Sequence, residues 1–85
     1  MSSVSIRWER RAFKELRRLS ADDQRRVYRA VGRLEESPLA GKALSAEWRG
    51  LRRLRVGAYR VIYGFDGKQL LVLVVRVGHR REIYP

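Results

Sequence analysis

The side chains here best suited to chemistry are one imidazole, a phenol and a run of guanidinium groups. His79, Arg80, Arg81 and Tyr84 fall within six residues, and His79 is the only histidine. Arg52, Arg53, Arg55 and Arg60 precede them. Imidazole titrates near neutrality and can pass a proton. Guanidinium stays charged and can grip a phosphate through two parallel hydrogen bonds. Together these groups suit phosphoryl chemistry on RNA, which carries its own nucleophile in the 2′-hydroxyl. The protein then has to orient the strand, neutralise the charged phosphorane and move protons. Each well-placed donor in such a site is worth roughly 3–4 kcal/mol. DNA lacks that hydroxyl, so the set favours RNA.

Other chemistries lack their parts. With no Cys and one His, the chain has no zinc-hydrolase ligand set. Residues 49–85 hold only two carboxylates, Asp66 and Glu82, too few for a two-metal nuclease, and Asp66 is better explained by a turn. No glycine-rich phosphate loop and no Ser/His/Asp arrangement stands out. No metal and no cofactor are therefore expected. Each candidate also has a plainer reading. A lone histidine is more often structural than catalytic, Tyr84 could fill a core or act as a stacking platform, and charge on the outer side of a strand is often only solvated.

The charge balance points the same way. Twenty Lys and Arg against nine Asp and Glu give a net charge of +11 in 85 residues. Residues 49–85 carry nine basic and two acidic side chains, so the excess is concentrated there. Such a surface seeks polyanions: RNA, DNA, an anionic membrane or an acidic protein. The simplest alternative is an arginine-rich proteome. No apolar run approaches the roughly 20 residues of a membrane span, and residues 1–4 lack a signal-peptide core. A single cytoplasmic domain over residues 1–85, without a membrane partner, is expected.

The elements that must position these groups follow from periodicity. Residues 4–8 alternate, with Val4, Ile6 and Trp8 on one face of a first strand. Residues 9–19 place Ala12, Phe13, Leu16 and Leu19 at helical spacing. Ser20, with Asp23 three residues on, caps a second helix whose stripe is Val27, Ala30, Val31 and Leu34. Pro38 ends it by disfavouring helix at Ser37. Residues 38–49 read as loop or irregular crossover. Strands follow at 50–56, 59–65 and 69–77, with Asp66-Gly67 as a hairpin signal. The last run is apolar on both faces and reads as a central strand. The fold class is α+β in the order β-α-α-β-β-β. Two N-terminal helices pack on one face of a small, twisted, mainly antiparallel sheet, and the other face stays open.

If Gly57-Ala58 is a two-residue turn, Val56 pairs with Tyr59 and Arg55 with Arg60. Arg53, Arg55 and Arg60 then share the open face, because side chains alternate along a strand. Like charges directly opposite each other destabilise a sheet, and a bound phosphate would offset that. A one-residue bulge would flip part of this set, so the face of Arg76 is not assigned.

Three segments carry a family resemblance: Leu34-Glu35-Glu36-Ser37-Pro38, then Leu54-Arg55-Val56-Gly57-Ala58-Tyr59-Arg60-Val61-Ile62-Tyr63, then Val77-Gly78-His79-Arg80-Arg81-Glu82-Ile83-Tyr84. Through them the chain resembles the RelE branch of the RelE/ParE toxin superfamily over nearly its whole length. The resemblance implies a toxin of a toxin–antitoxin system, an endoribonuclease (mRNA interferase) that works with the ribosome. Such toxins enter the ribosomal A site and cleave the mRNA codon there.

By the same resemblance, Arg60 and Arg80 match arginines of the site, and Tyr84 matches a tyrosine that stacks on or orients the substrate. Arg53 stands where some members have a lysine proposed as a base. Arginine stays protonated, so Arg53 is expected to stabilise charge and His79 to transfer protons. Leu51 lies near the place of a second family lysine. Arg52, Arg55 and Arg81 are the expected substrate-binding residues. The implied partners are the ribosome, mRNA and an antitoxin with an acidic segment. The alternatives are a ParE-like inhibitor of DNA gyrase and a non-catalytic RNA- or DNA-binding module.

Overall fold

A computed structural model describes residues 3–82. The chain runs β1 (Ser5–Trp8), α1 (Arg10–Arg17), α2 (Ala21–Gly32), β2 (Lys42–Ala43), β3 (Arg52–Val56), β4 (Tyr59–Asp66) and β5 (Leu71–His79). Single 3-10 turns at Arg33–Glu35 and Ala46–Trp48 flank β2. The sheet has five strands in the order β1-β5-β4-β3-β2. β1 lies parallel to β5, and every other pair is antiparallel. No helix of the described residues is long and apolar enough to cross a membrane.

Both helices pack on one face, as the apolar spacing predicts. Ser20 caps α2 by accepting from the Asp23 amide at 3.2 Å. The Gln24 side chain donates to the carbonyls of Leu19 (2.9 Å) and Arg17 (3.3 Å), closing the end of α1. Ala12, Leu16, Val27, Val31 and Leu34 meet Val61, Tyr63, Val72, Val74 and Val77 in one buried cluster. Phe13, expected in the stripe, is 46% exposed under the Arg17 guanidinium.

A polar latch ties α1 to β5. The Glu15 carboxylate accepts from the Val77 amide at 2.9 Å and from Arg76 Nε at 3.1 Å. It forms an ion pair with the far end of the same guanidinium. Arg76, unassigned from sequence, therefore reaches the helical side. A bulge falls beside it: Ile62 pairs with Arg76 but Tyr63 pairs with Val74, so Val75 is the extra residue. Beyond it the pleat of β5 changes parity, and Val77 faces the core as Val74 does.

Two local expectations change. Residues 38–49 read as loop, yet they hold β2, too short for any periodicity to show. The Tyr63 hydroxyl donates to the Pro38 carbonyl at 2.8 Å and accepts from the Gly41 amide at 2.9 Å. Gly41 sits so close that a Cβ there would lie 2.8 Å from the Tyr63 ring and 2.9 Å from the Arg53 carbonyl. The Asp66-Gly67 hairpin does form, but its turn runs through Leu70. Asp66 accepts from the Lys68 and Gln69 amides, and Leu70 adopts a φ of +51°.

Candidate nucleic-acid interface

The β3–β4 hairpin forms in the expected register. Val56 pairs with Tyr59, Arg55 with Arg60, Leu54 with Val61, and Arg53 with Ile62. Gly57 turns the chain with a φ of +60°, the left-handed value a tight hairpin needs at its first central position. Leu54, Val56 and Tyr59 pack toward the helices. The pleat therefore sends Arg53, Arg55 and Arg60 to the helix-free face.

That face has its own dry floor. Ile62 is fully buried yet stands outside the cluster beneath the helices. Its cross-strand neighbour is Arg53, and Arg60 lies two residues before it on the same face. Arg76 of β5 also pairs with Ile62, but its guanidinium is drawn to Glu15, which leaves the aliphatic stems of Arg53 and Arg60 to cover Ile62. Both Nε atoms are shielded from solvent, as they would be if the stems lie flat. Arg53 Nε also has no hydrogen-bond partner among the described residues. A shielded, unsatisfied guanidinium N–H is costly to leave unpaired, and an anionic oxygen would satisfy it.

Arg80 extends the array. Its amide donates to the Ala58 carbonyl at 2.9 Å, continuing the β4–β5 ladder by one residue. Alternation from Gly78, which pairs with Arg60, carries Arg80 to the arginine face. Arg81 is exposed in the turn that follows. Tyr84 lies outside the described residues.

Two expected members stand elsewhere. His79 pairs with Tyr59, and its ring lies edge-on to the Tyr59 ring at 5.9 Å, on the helical side. Its Nδ1 accepts from the Arg81 amide at 3.1 Å, which leaves Nε2 to carry the proton of the neutral ring. The expectation that this imidazole sits beside the arginine face is thus corrected, and the bulge at Val75 is the reason. Arg52, grouped with the substrate-binding arginines, donates instead to the carbonyls of Gly41 (2.7 Å) and Leu39 (3.2 Å) and clamps the β2 loop.

His79 lines a cleft of about 420 Å³ with Glu15, Ser20, Asp23, Tyr59 and Glu82. There the Tyr59 hydroxyl donates to Asp23 at 3.0 Å. That hydrogen bond, with desolvation and the Asp23 and Glu82 charges, raises the phenol above its ordinary pKa. Among the described residues no three His, Cys, Asp or Glu side chains gather as metal donors.

Sequence reasoning missed Lys42. It pairs with Arg53 from the two-residue strand β2. Gly41 faces the Tyr63 ring on the core side, so the next residue faces the arginines. No pattern in the chain announces this, because a strand of two residues has no period to read.

Comparison with known proteins places this geometry in company. The family model for the ParE toxin of the parDE type II toxin–antitoxin system matches residues 6–84. Toxin RelG of Mycobacterium tuberculosis is 41% identical over 56 residues, which span 65% of this chain and 64% of the length of that relative. The toxin–antitoxin complex RelBE2 of Mycobacterium tuberculosis contains a chain with 32% identity and a TM-score of 0.85, the match covering 91% of this chain and 98% of that one. In the archaeal RelE–RelB complex of Pyrococcus horikoshii OT3 the figures are 25% and 0.78, covering 98% and 100%.

Proposed function

The chain belongs to the ParE toxin family of type II toxin–antitoxin systems, within the RelE/ParE superfamily, and on that footing we propose that it is a ribosome-dependent endoribonuclease that cuts mRNA in the A site. One observation carries the reading. A helix-free sheet face presents Arg53, Arg55 and Arg60 around a dry floor, with the Nε of Arg53 shielded and unsatisfied. Arginines opposed on neighbouring strands repel, and a backbone phosphate relieves both costs at once.

In this reading the substrate's 2′-hydroxyl attacks the adjacent phosphorus and the 5′-oxygen of the next nucleotide leaves. Arg60 and Arg53 hold the non-bridging oxygens and stabilise the phosphorane charge. Arg55 draws the strand in, and Arg80 completes the array from the end of β5. The phenol of Tyr84 orients the substrate or exchanges a proton. His79 is not assigned proton transfer, because its ring faces the helices. The neighbouring solved structures include complexes of RelE-type toxins with their antitoxins. An acidic antitoxin segment is the protein partner this charge fits.

Labelled mRNA in a translation extract tests the proposal. Cleavage at codon positions that disappears in Arg60→Gln supports it. The ParE family match favours a second reading, inhibition of DNA gyrase. Intact mRNA together with blocked supercoiling would establish that one instead.

A further inference from the structure

Lys42 adds something the arginine cluster alone does not. Two cross-strand rungs of like charge stand side by side on the open face. One is Arg55 opposite Arg60, and the other is Lys42 opposite Arg53. They lie two residues apart along β3, about 7 Å at the rise of a strand. That separation is comparable to the step between neighbouring phosphates of an extended single strand.

The second rung is held in place. The Tyr63 hydroxyl binds both Pro38 and Gly41, and Arg52 binds Leu39 and Gly41, so the segment leading into Lys42 is fixed from both sides. Among the described strand residues on this face, the one carboxylate is Asp66. It lies at the far end of β4, with an oxygen already engaged by two backbone amides of its own turn. Among the described residues no ion pair engages Lys42, Arg53 or Arg55. Directly opposed cations destabilise a ladder, and the Lys42–Arg53 rung asks for an anion of its own.

We propose that Lys42 and Arg53 form a second phosphate subsite, so that the open face grips two successive phosphates of one RNA strand. This rests on the reading of the face as an RNA site. It adds that the ligand is registered across the sheet, with Arg53 shared between the scissile phosphate beside Arg60 and the next phosphate beside Lys42. The lysine supplies a compact charge at the sheet edge, and Arg53 supplies the planar fork above Ile62.

The test is a salt titration of binding to 2′-O-methyl oligonucleotides, which cannot be cleaved. A dinucleotide has one phosphodiester and a trinucleotide has two. In the parent, the trinucleotide should show a salt slope steeper by about 0.7, the value for one more phosphate on a single strand. Lys42→Gln should remove that increment and weaken the trinucleotide roughly tenfold, the loss of one charge-assisted contact. Dinucleotide binding should stay unchanged, Lys42→Arg should restore the parent, and Lys68→Gln on the distant turn should match it.

Equal trinucleotide binding by the parent and Lys42→Gln, or equal slopes for both ligands in the parent, overturns the subsite while Arg60→Gln still reports on the face. If Arg60→Gln also changes nothing, the face is not an RNA site and both readings fall. Two-phosphate binding without cleavage in the translation extract keeps the subsite and removes the ribonuclease.

Discussion

Arg55 and Arg60 face each other directly across the β3–β4 ladder, two permanent cations on adjacent strands. Such a pair opposes folding, so removing one charge should stabilise the free protein. Arg55→Gln is expected to gain about 0.5 kcal/mol in urea unfolding while binding ribosomes more weakly. A variant that loses stability and keeps its affinity would show that the pair is not a ligand site.

Arg60 and Arg53 should matter most for chemistry. Replacing either with Gln is expected to slow mRNA cleavage by about 10²-fold or more, the usual cost of one charge-stabilising donor. Arg53→Lys should recover part of it. Circular dichroism and thermal unfolding should stay close to the parent, since neither head group joins the helix-side core.

His79 supports the turn after β5 and faces the helices. His79→Ala should therefore leave cleavage within roughly an order of magnitude of the parent, against the 10²–10⁴-fold loss expected of a general acid or base. A larger loss, with a pH profile stripped of one limb, would return the imidazole to the site.

The Tyr63 hydroxyl binds the Pro38 carbonyl and the Gly41 amide inside the protein. Tyr63→Phe leaves both unsatisfied and should cost about 2 kcal/mol, measured by urea unfolding. Burial, the largest effect, raises this phenol above its ordinary pKa, as hydrogen bonding to Asp23 does for Tyr59. The unfolded chain then releases those protons first, so stability should fall as pH rises past about 10, the unfolded tyrosine value. The fall should be shallower in Tyr63→Phe.

Glu15 serves the Val77 amide and the Arg76 guanidinium together. Glu15→Ala strands both and should destabilise by about 2–3 kcal/mol in thermal unfolding. Glu15→Gln, which keeps an acceptor for the amide, should lose less.

Much of this was legible in the residues. The β-α-α-β-β-β order, the Ser20 cap, the Gly57-Ala58 turn and the Arg55–Arg60 rung follow from period, capping chemistry and turn chemistry, and the structure has them. What escaped came from contacts distant in sequence or from a break in period. β2 exists because Tyr63 and Arg52 hold its approach, and neither shows in residues 38–49 themselves. The face of His79 depends on one extra residue at Val75, which an unbroken apolar run conceals. Arg52 looked like one more basic side chain, yet backbone carbonyls across the loop claim it. The segments that carry the family resemblance contain the Arg55–Arg60 rung, whereas Arg53 and Lys42 lie outside them.

Ile62 gives the charged side of the molecule a waterless base. In the proposed reading, a nucleotide arriving there would meet an apolar plate beneath flat-lying guanidinium groups, and water between them would have little to hold it. Once that water leaves, each attraction acts across a less screening medium and strengthens. The plate also favours arginine over lysine above it, because a guanidinium can lie along hydrocarbon while its edge still reaches an oxygen. In the proposed reading, the grip of this side on a strand would thus be set partly by a residue that never touches a phosphate.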